Sequence, residues 1–321
     1  MNHAIPISIS FKPNHFKSSH FKQVRLPLVA ALSVSLLLAA CKKEQDATTE
    51  QAQPGTPVVA QTQPAPVELK DLIENDPRYI LGISYPPNAA KYPVLAAELL
   101  RYADAARQDL MKAVAESDPK KQAAPFDLTL NFTLLAETTQ MVAVGADGSS
   151  FLGGAHSVPI IARFVWLPQA NKMLRADALL ADPAGWGPIS DYVREQLHAA
   201  LSQRIDADEL PAEERAELMR SVGKAIDSGT EPKPIAFRWF EPVLMPEGGK
   251  IMALRFVFPP YQVGPYVDGT RSVEVPAAIL MPHLAPEYRA MFTTEAPPPS
   301  ALPVGSPTDV SPQLDASASG G

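Results

Sequence analysis

The sequence predicts an α+β fold: an antiparallel sheet with about three packed helices, held between a disordered tether and a disordered C-terminal tail. Three observations carry this expectation. Apolar residues alternate with polar ones in several short runs, as they do in half-buried strands. In three longer stretches they recur every three to four residues, as on the inner face of a helix. The strands are grouped instead of alternating one for one with helices, which favours antiparallel pairing over a parallel sheet.

The elements follow in chain order. Tyr79 to Tyr85 (YILGISY) reads as a strand stopped by Pro86-Pro87. Pro93 opens the first helix, because proline suits a helix's first turn, where its missing N–H is not needed. Leu95, Leu99, Ala103, Ala106, Leu110 and Val114 then share one face. Phe126, Leu128, Leu130, Phe132 and Leu134 alternate with Asp127, Thr129, Asn131 and Thr133, giving a half-buried strand. Met141 to Val144 is expected to be a short strand, followed by a Gly-rich turn and a long strand from Pro159 to Leu167.

After Pro188, the four-residue recurrence of Ile189, Val193, Leu197, Leu201 and Ile205 predicts a second helix. Pro211 starts a third, with Leu218, Val222 and Ile226 inward and Gly229 as its stop. Strands are expected again at Ile235 to Phe240, at Met252 to Phe258 and at Ser272 to Met281.

The ends differ from this centre. The 34 prolines are about twice the usual share, and most of the excess lies near the termini. Residues 41–67 hold Cys41 and then a stretch rich in Gln, Thr, Ala and Pro, too polar to bury a core. As a flexible tether of some 25 residues it would span roughly 25–30 Å. Residues 295–321 read as a tail of the same kind. The central region, 68–294, is expected to comprise a module over 68–140 and a second over 141–294.

Residues 1–40 read as a secretion signal. Lys12, Lys17, Lys22 and Arg25 precede the uncharged run Leu26 to Ala40, which is shorter than the roughly 20 apolar residues of a membrane span. Leu38-Ala39-Ala40-Cys41 resembles the lipobox of bacterial lipoproteins. That resemblance implies a diacylglycerol on the Cys41 thiol, cleavage before it, and further acylation such as palmitate on the new amino group. Two or more acyl chains anchor stably, at about 0.8 kcal/mol per buried CH₂. Cys41 is the only cysteine, so no internal disulfide is expected. Lys42 stands where an aspartate would imply inner-membrane retention, so the expected place is the periplasmic face of the outer membrane in a Gram-negative cell. Removing residues 1–40 takes away four basic and no acidic side chains, leaving 24 against 35 and a net charge of −11. Such a chain repels nucleic acid and attracts cationic partners.

Two stretches could carry chemistry. In the first, Gly153 and Gly154 permit tight backbone geometry beside His156, a residue able to serve as acid, base or hydrogen-bond partner. The alternative is a plain turn whose imidazole satisfies a carbonyl. The second, Pro259 to Gly269, carries Tyr261, Gly264 and Tyr266 on a Pro/Gly-stiffened loop. Tyrosines there give rigid contact area at low entropic cost, or merely pack a crossover. Asp147, Ser149, Ser150 and His156 could also form a hydrolytic trio, although Ser and Asp serve turns equally well. Neither a G-x-S-x-G elbow nor an H-E-x-x-H motif is present, and the histidines outside the signal (His156, His198, His283) lack metal-ligand spacing. No cofactor or metal is expected.

The two stretches together, with Asn171-Lys172-Met173-Leu174 and Leu179-Leu180 between them, resemble the extracytoplasmic domain of unknown function of the RsiV/PdaC type. Residues 68–140 are similar to the companion module that usually precedes it. The resemblance implies an envelope-associated α+β domain, binding lysozyme in one member and having no agreed catalytic role. A cytoplasmic sigma-binding segment and a deacetylase domain, which accompany it in those proteins, are not seen in these 321 residues. The expectation is therefore a membrane-anchored binding or sensing module for lysozyme, a glycan or a peptidoglycan fragment. A hydrolase or deacetylase accessory using His156, or a structural lipoprotein without a ligand, are the alternatives.

Overall fold

The computed structural model describes residues 67–295, except 121, 123 and 247. The signal segment, Cys41 and nearly all of the tether and tail lie outside the described residues.

The fold is α+β. Among the described residues, nine strands form two sheets, one of six strands and one of three. The first sheet is built from β1 (Leu72–Asp76), β2 (Tyr79–Ser84), β3 (Phe126–Glu137), β4 (Val142–Phe151), β5 (Val158–Leu167) and β6 (Lys172–Leu174), paired in that order. All neighbours are antiparallel except β2 and β3, which run parallel. Helix α1 (Pro93–Glu116) supplies the crossover that a parallel pair requires. It opens on Pro93 and buries Leu95, Leu99, Ala103, Leu110 and Val114 against Leu81, Leu128, Leu130 and Phe132 of the sheet. The expected subdivision at 140/141 falls inside the β3–β4 hairpin of this continuous sheet.

The second sheet holds β7 (Phe240–Leu244), β8 (Ile251–Phe258) and β9 (Arg271–Pro276), all antiparallel. Its core contains Trp186, stacked on Phe237 at 5.0 Å between ring centroids, with Phe256 edge-on to both. Two long helices, α3 (Trp186–Ala207) and α4 (Ala212–Gly229), pack beside it. Three helices of a single turn complete the set among the described residues: α2 (Ala176–Leu179), α5 (Ala277–Leu280) and α6 (Pro286–Arg289).

Several expectations need correction. The α+β class and the mostly antiparallel pairing are as expected, but among the described residues the strands are divided between two sheets and β2 and β3 run parallel. Strand β4 does not turn at its glycines but runs through Gly145 and Gly148 to Phe151. Gly148 is small because a Cβ there would lie 1.9 Å from the Thr129 carbonyl oxygen of β3. The turn comes later, over 152–157. Pro234–Phe237 is a 3₁₀ turn, so the strand expected at Ile235 begins only at Phe240. The last expected strand ends at Pro276 and passes into α5, because Leu280 is wanted in the core rather than on a pleat. Strand β1 is an element the sequence did not announce.

A buried ion cluster joins the two sheets. Glu241 of β7, only 7% exposed, accepts from Arg163 of β5 and from Arg255 of β8, each at 2.7 Å. Arg163 also reaches Asp147 at 2.9 Å, and Arg255 reaches Glu274 at 2.6 Å.

Candidate functional site

The loop after β4 leaves the sheet at Leu152. Gly153 and Gly154 take φ values of 89° and 134°, a region closed to most side chains. This sharp exit raises His156 clear of the sheet before β5 begins at Val158. The loop after β8 is fixed differently. Gln262 donates from its side-chain amide to the carbonyls of Gly229, at 2.9 Å, and Ala236, at 2.7 Å. Gly264 leaves room for Asp268, whose carboxylate would lie 3.0 Å from a Cβ at that position. Asp268 in turn pairs with Arg204 of α3 at 2.8 Å. Tyr261 sits between these anchors at φ 72°, an unusual conformation for an aromatic residue, with its N–H bonded to the Gly264 carbonyl.

The two loops meet. The His156 ring stacks on Tyr266 with 4.3 Å between centroids, and the Tyr261 ring lies 5.7 Å from that of Tyr266. His156 Nε2 is 3.2 Å from the Tyr261 hydroxyl, a contact between residues 105 apart in the chain. His156 Nδ1 is 2.9 Å from the Ser157 carbonyl oxygen, and the Tyr266 hydroxyl donates to that same oxygen at 3.1 Å. A carbonyl can only accept, so Nδ1 carries the proton, and in neutral imidazole Nε2 accepts from Tyr261. His156 and Tyr261 are exposed, Tyr261 by 62%. The turn over 152–157, with its imidazole on the Ser157 carbonyl, has the form of the plain-turn alternative, and the exposed rings of His156 and Tyr261 lie open to solvent.

Clefts flank it. One of about 410 Å³ runs between α1 and the outer ends of β4 and β5, lined by Tyr102, Asp109, Ser150, Leu152, His156 and Val158 among others. Burial pushes the Tyr102 phenol above its ordinary range, keeping it neutral. Another cleft, of about 400 Å³, lies along Tyr261, Pro259, Ile235 and Arg238. Leu152, Val158 and Ile235 are exposed apolar residues on these walls, with Val158 at 59%.

The structure thus brings Gly153, Gly154, His156, Tyr261, Gly264 and Tyr266 into one neighbourhood. It does not assemble the trio of Asp147, Ser149 or Ser150, and His156. Asp147 is held by Arg163, and both ring nitrogens of His156 are engaged elsewhere. Among the described residues no group of three or more His, Cys, Asp or Glu side chains is arranged to hold a metal ion. Sequence reasoning missed Tyr102 and Asp109. They lie two helical turns apart on α1, a spacing that aligns them on one face, but only the sheet opposite makes that face a cleft wall.

No family model matches the chain, and no curated protein sequence matches it. Among solved structures it is similar to members of the DUF3298 family. One, from Bacteroides fragilis, is 14% identical, with a TM-score of 0.46, covering 70% of this chain and 97% of that one. Another, from Pseudomonas aeruginosa PAO1, is 13% identical, with a TM-score of 0.45, covering 72% and 98%.

Proposed function

We propose that this protein is a periplasm-facing lipoprotein, anchored through Cys41, whose folded region is a binding module for a glycan or peptidoglycan fragment of the cell envelope. One observation carries the reading: two loops far apart in sequence converge on an exposed cluster of His156, Tyr261 and Tyr266. Aromatic faces beside a cleft of a few hundred Å³ suit a ring-shaped ligand. The backbone features that build the cluster, including the positive φ of Tyr261, cost stability and are expected where function demands them. The bonds of His156 favour a bracket for the tyrosines over a free catalytic base, which disfavours the deacetylase-accessory alternative.

A second reading, a basic protein ligand such as lysozyme, draws on the net charge of −11 for residues 41–321. Calorimetric titration of the chain with muropeptides and with lysozyme separates the two. Binding of muropeptides that is lost in His156→Ala and Tyr266→Ala supports the proposal; binding of neither ligand refutes both. For the anchor, labelled palmitate incorporated into wild type and absent from Cys41→Ser is the expected outcome, and label retained in the variant refutes it.

A further inference from the structure

The two clefts beside the aromatic cluster belong to a row of three. The third, of about 320 Å³, lies at the end of α1 between Ser117, Ala124 and Phe126. It shares Leu152 and Gly153 with the cleft that runs between α1 and the ends of β4 and β5. That middle cleft meets the one along Tyr261 at two points. His156 of the middle cleft lies 3.2 Å from the Tyr261 hydroxyl. Arg238, on the wall beside Tyr261, is near enough to Tyr102 of the middle cleft for its charge to favour the ionised phenol, against the larger effect of burial. From Tyr102 to Ser117 the α1 wall alone extends about 22 Å, at about 1.5 Å per residue. Each cleft has the volume of a small-ligand site by itself.

The walls carry charges of both signs. Asp109 and Asp118 stand on the α1 side. Arg238 and Lys233 stand at the Tyr261 end, where Lys233 also pairs with Glu231 at 2.6 Å. A ligand of one charge would be attracted at one end and repelled at the other, so an uncharged chain suits the whole row better. Exposed apolar side chains recur along it, Leu152 and Val158 in the middle cleft and Ile235 beyond the tyrosines. Such a succession of apolar and aromatic surfaces matches the C–H faces of successive sugar rings. An extended peptide would instead add itself to a free strand edge. The edge bordering the row belongs to β5, which pairs with β6 only from Val165 to Leu167, and Pro159 withholds a ladder donor there. Resting on the binding surface proposed above, we infer that the ligand is a linear, uncharged glycan strand that runs through all three clefts and crosses the cluster of His156, Tyr261 and Tyr266.

The test titrates the full chain with three probes: the disaccharide and the hexasaccharide of N-acetylglucosamine, and an uncharged heptapeptide of alanine and threonine. Wild type is expected to bind the hexasaccharide at least about tenfold more tightly than the disaccharide, a gain of about 1.4 kcal/mol. That affinity is expected to hold between low and high salt. Ala124→Trp and Ile235→Ser change exposed positions at the two ends of the row, and each is expected to remove most of the gain. Equal binding of both saccharides, lost in Tyr266→Ala, overturns the inference and leaves the binding surface standing. A gain that survives either end variant overturns the reach into that variant's cleft. Hexasaccharide binding that collapses at high salt overturns recognition of an uncharged chain. Binding of the heptapeptide alone overturns the assignment to a glycan. Binding of no probe by wild type overturns the inference and the surface together.

Discussion

Replacing Gly229 by alanine would place a methyl carbon 1.9 Å from the Gln262 carbonyl oxygen and 2.9 Å from Val263 Cγ1. Ordinary contact begins at 3.4 Å, so the loop after β8 must retreat by about 1.5 Å or the end of α4 must move. Overpacking of this kind costs about 1–3 kcal/mol. The two hydrogen bonds from the Gln262 amide, one of them to Gly229 itself, stand to be stretched at about 1 kcal/mol each. Alanine returns up to about 1 kcal/mol in helix propensity. The net is a loss of about 2–4 kcal/mol, or about 5–15 °C in Tm for a folded region of this size. Gly187 supplies the control: it also lies in a helix, α3, but a Cβ there meets nothing within 4 Å. Gly187→Ala is expected to stabilise by about 0.4–1 kcal/mol. Differential scanning calorimetry on both variants checks the pair. A Gly229→Ala protein as stable as wild type, or a ranking opposite to this one, would refute the close-approach argument.

Three further outcomes are expected. Glu241→Ala leaves Arg163 short of its buried partner and should cost about 3 kcal/mol, the low end for a broken buried pair because Asp147 remains beside that arginine; an unchanged urea midpoint would contradict this. Tyr85, stacked on Phe132 at 4.9 Å, has its phenol pushed up to about 12 by burial and by the nearby carboxylates of Asp104 and Asp71. Its folded value lies above its unfolded value near 10, so the folded state loses stability as pH rises from about 10 to 12. Tyr85→Phe should remove the last-titrating step in the 295 nm absorbance and lessen that alkaline loss, and a titration curve that keeps the late step would count against it. Tyr261→Asn places a residue that tolerates positive φ where an aromatic now stands, so Tm should hold or rise while ligand binding falls; a clear drop in Tm would show that the backbone there is unstrained.

The long periodic elements were legible because their burial repeats many times. Leu95 to Val114 and Ile189 to Ile205 each carry enough inward positions for one helical face to be unambiguous. Strand β1 was not legible: Leu72–Asp76 is five residues long, carries two acids and leaves Ile73 exposed by 85%. Its strand conformation comes from pairing with β2, a property of the partner. The glycines of β4 misled for a related reason. Gly145 and Gly148 read as a turn locally, whereas Gly148 answers to the neighbouring strand. At the candidate site each half could be named from sequence, since Gly-Gly-x-His and the paired tyrosines are compositionally unusual. Their meeting could not, because nothing local links His156 to a hydroxyl 105 residues away.

Ser157 enters the cluster through its backbone alone. Its carbonyl takes two hydrogen bonds that orient His156 and Tyr266, while no side-chain contact of Ser157 takes part in them. Selection on this arrangement would thus act on the path of the main chain and be nearly blind to the residue type at 157. A pattern of required residues written for such a site would leave a blank at the position that holds it together. Geometry of the loop, and not residue identity, would be the trait that drifting sequences keep.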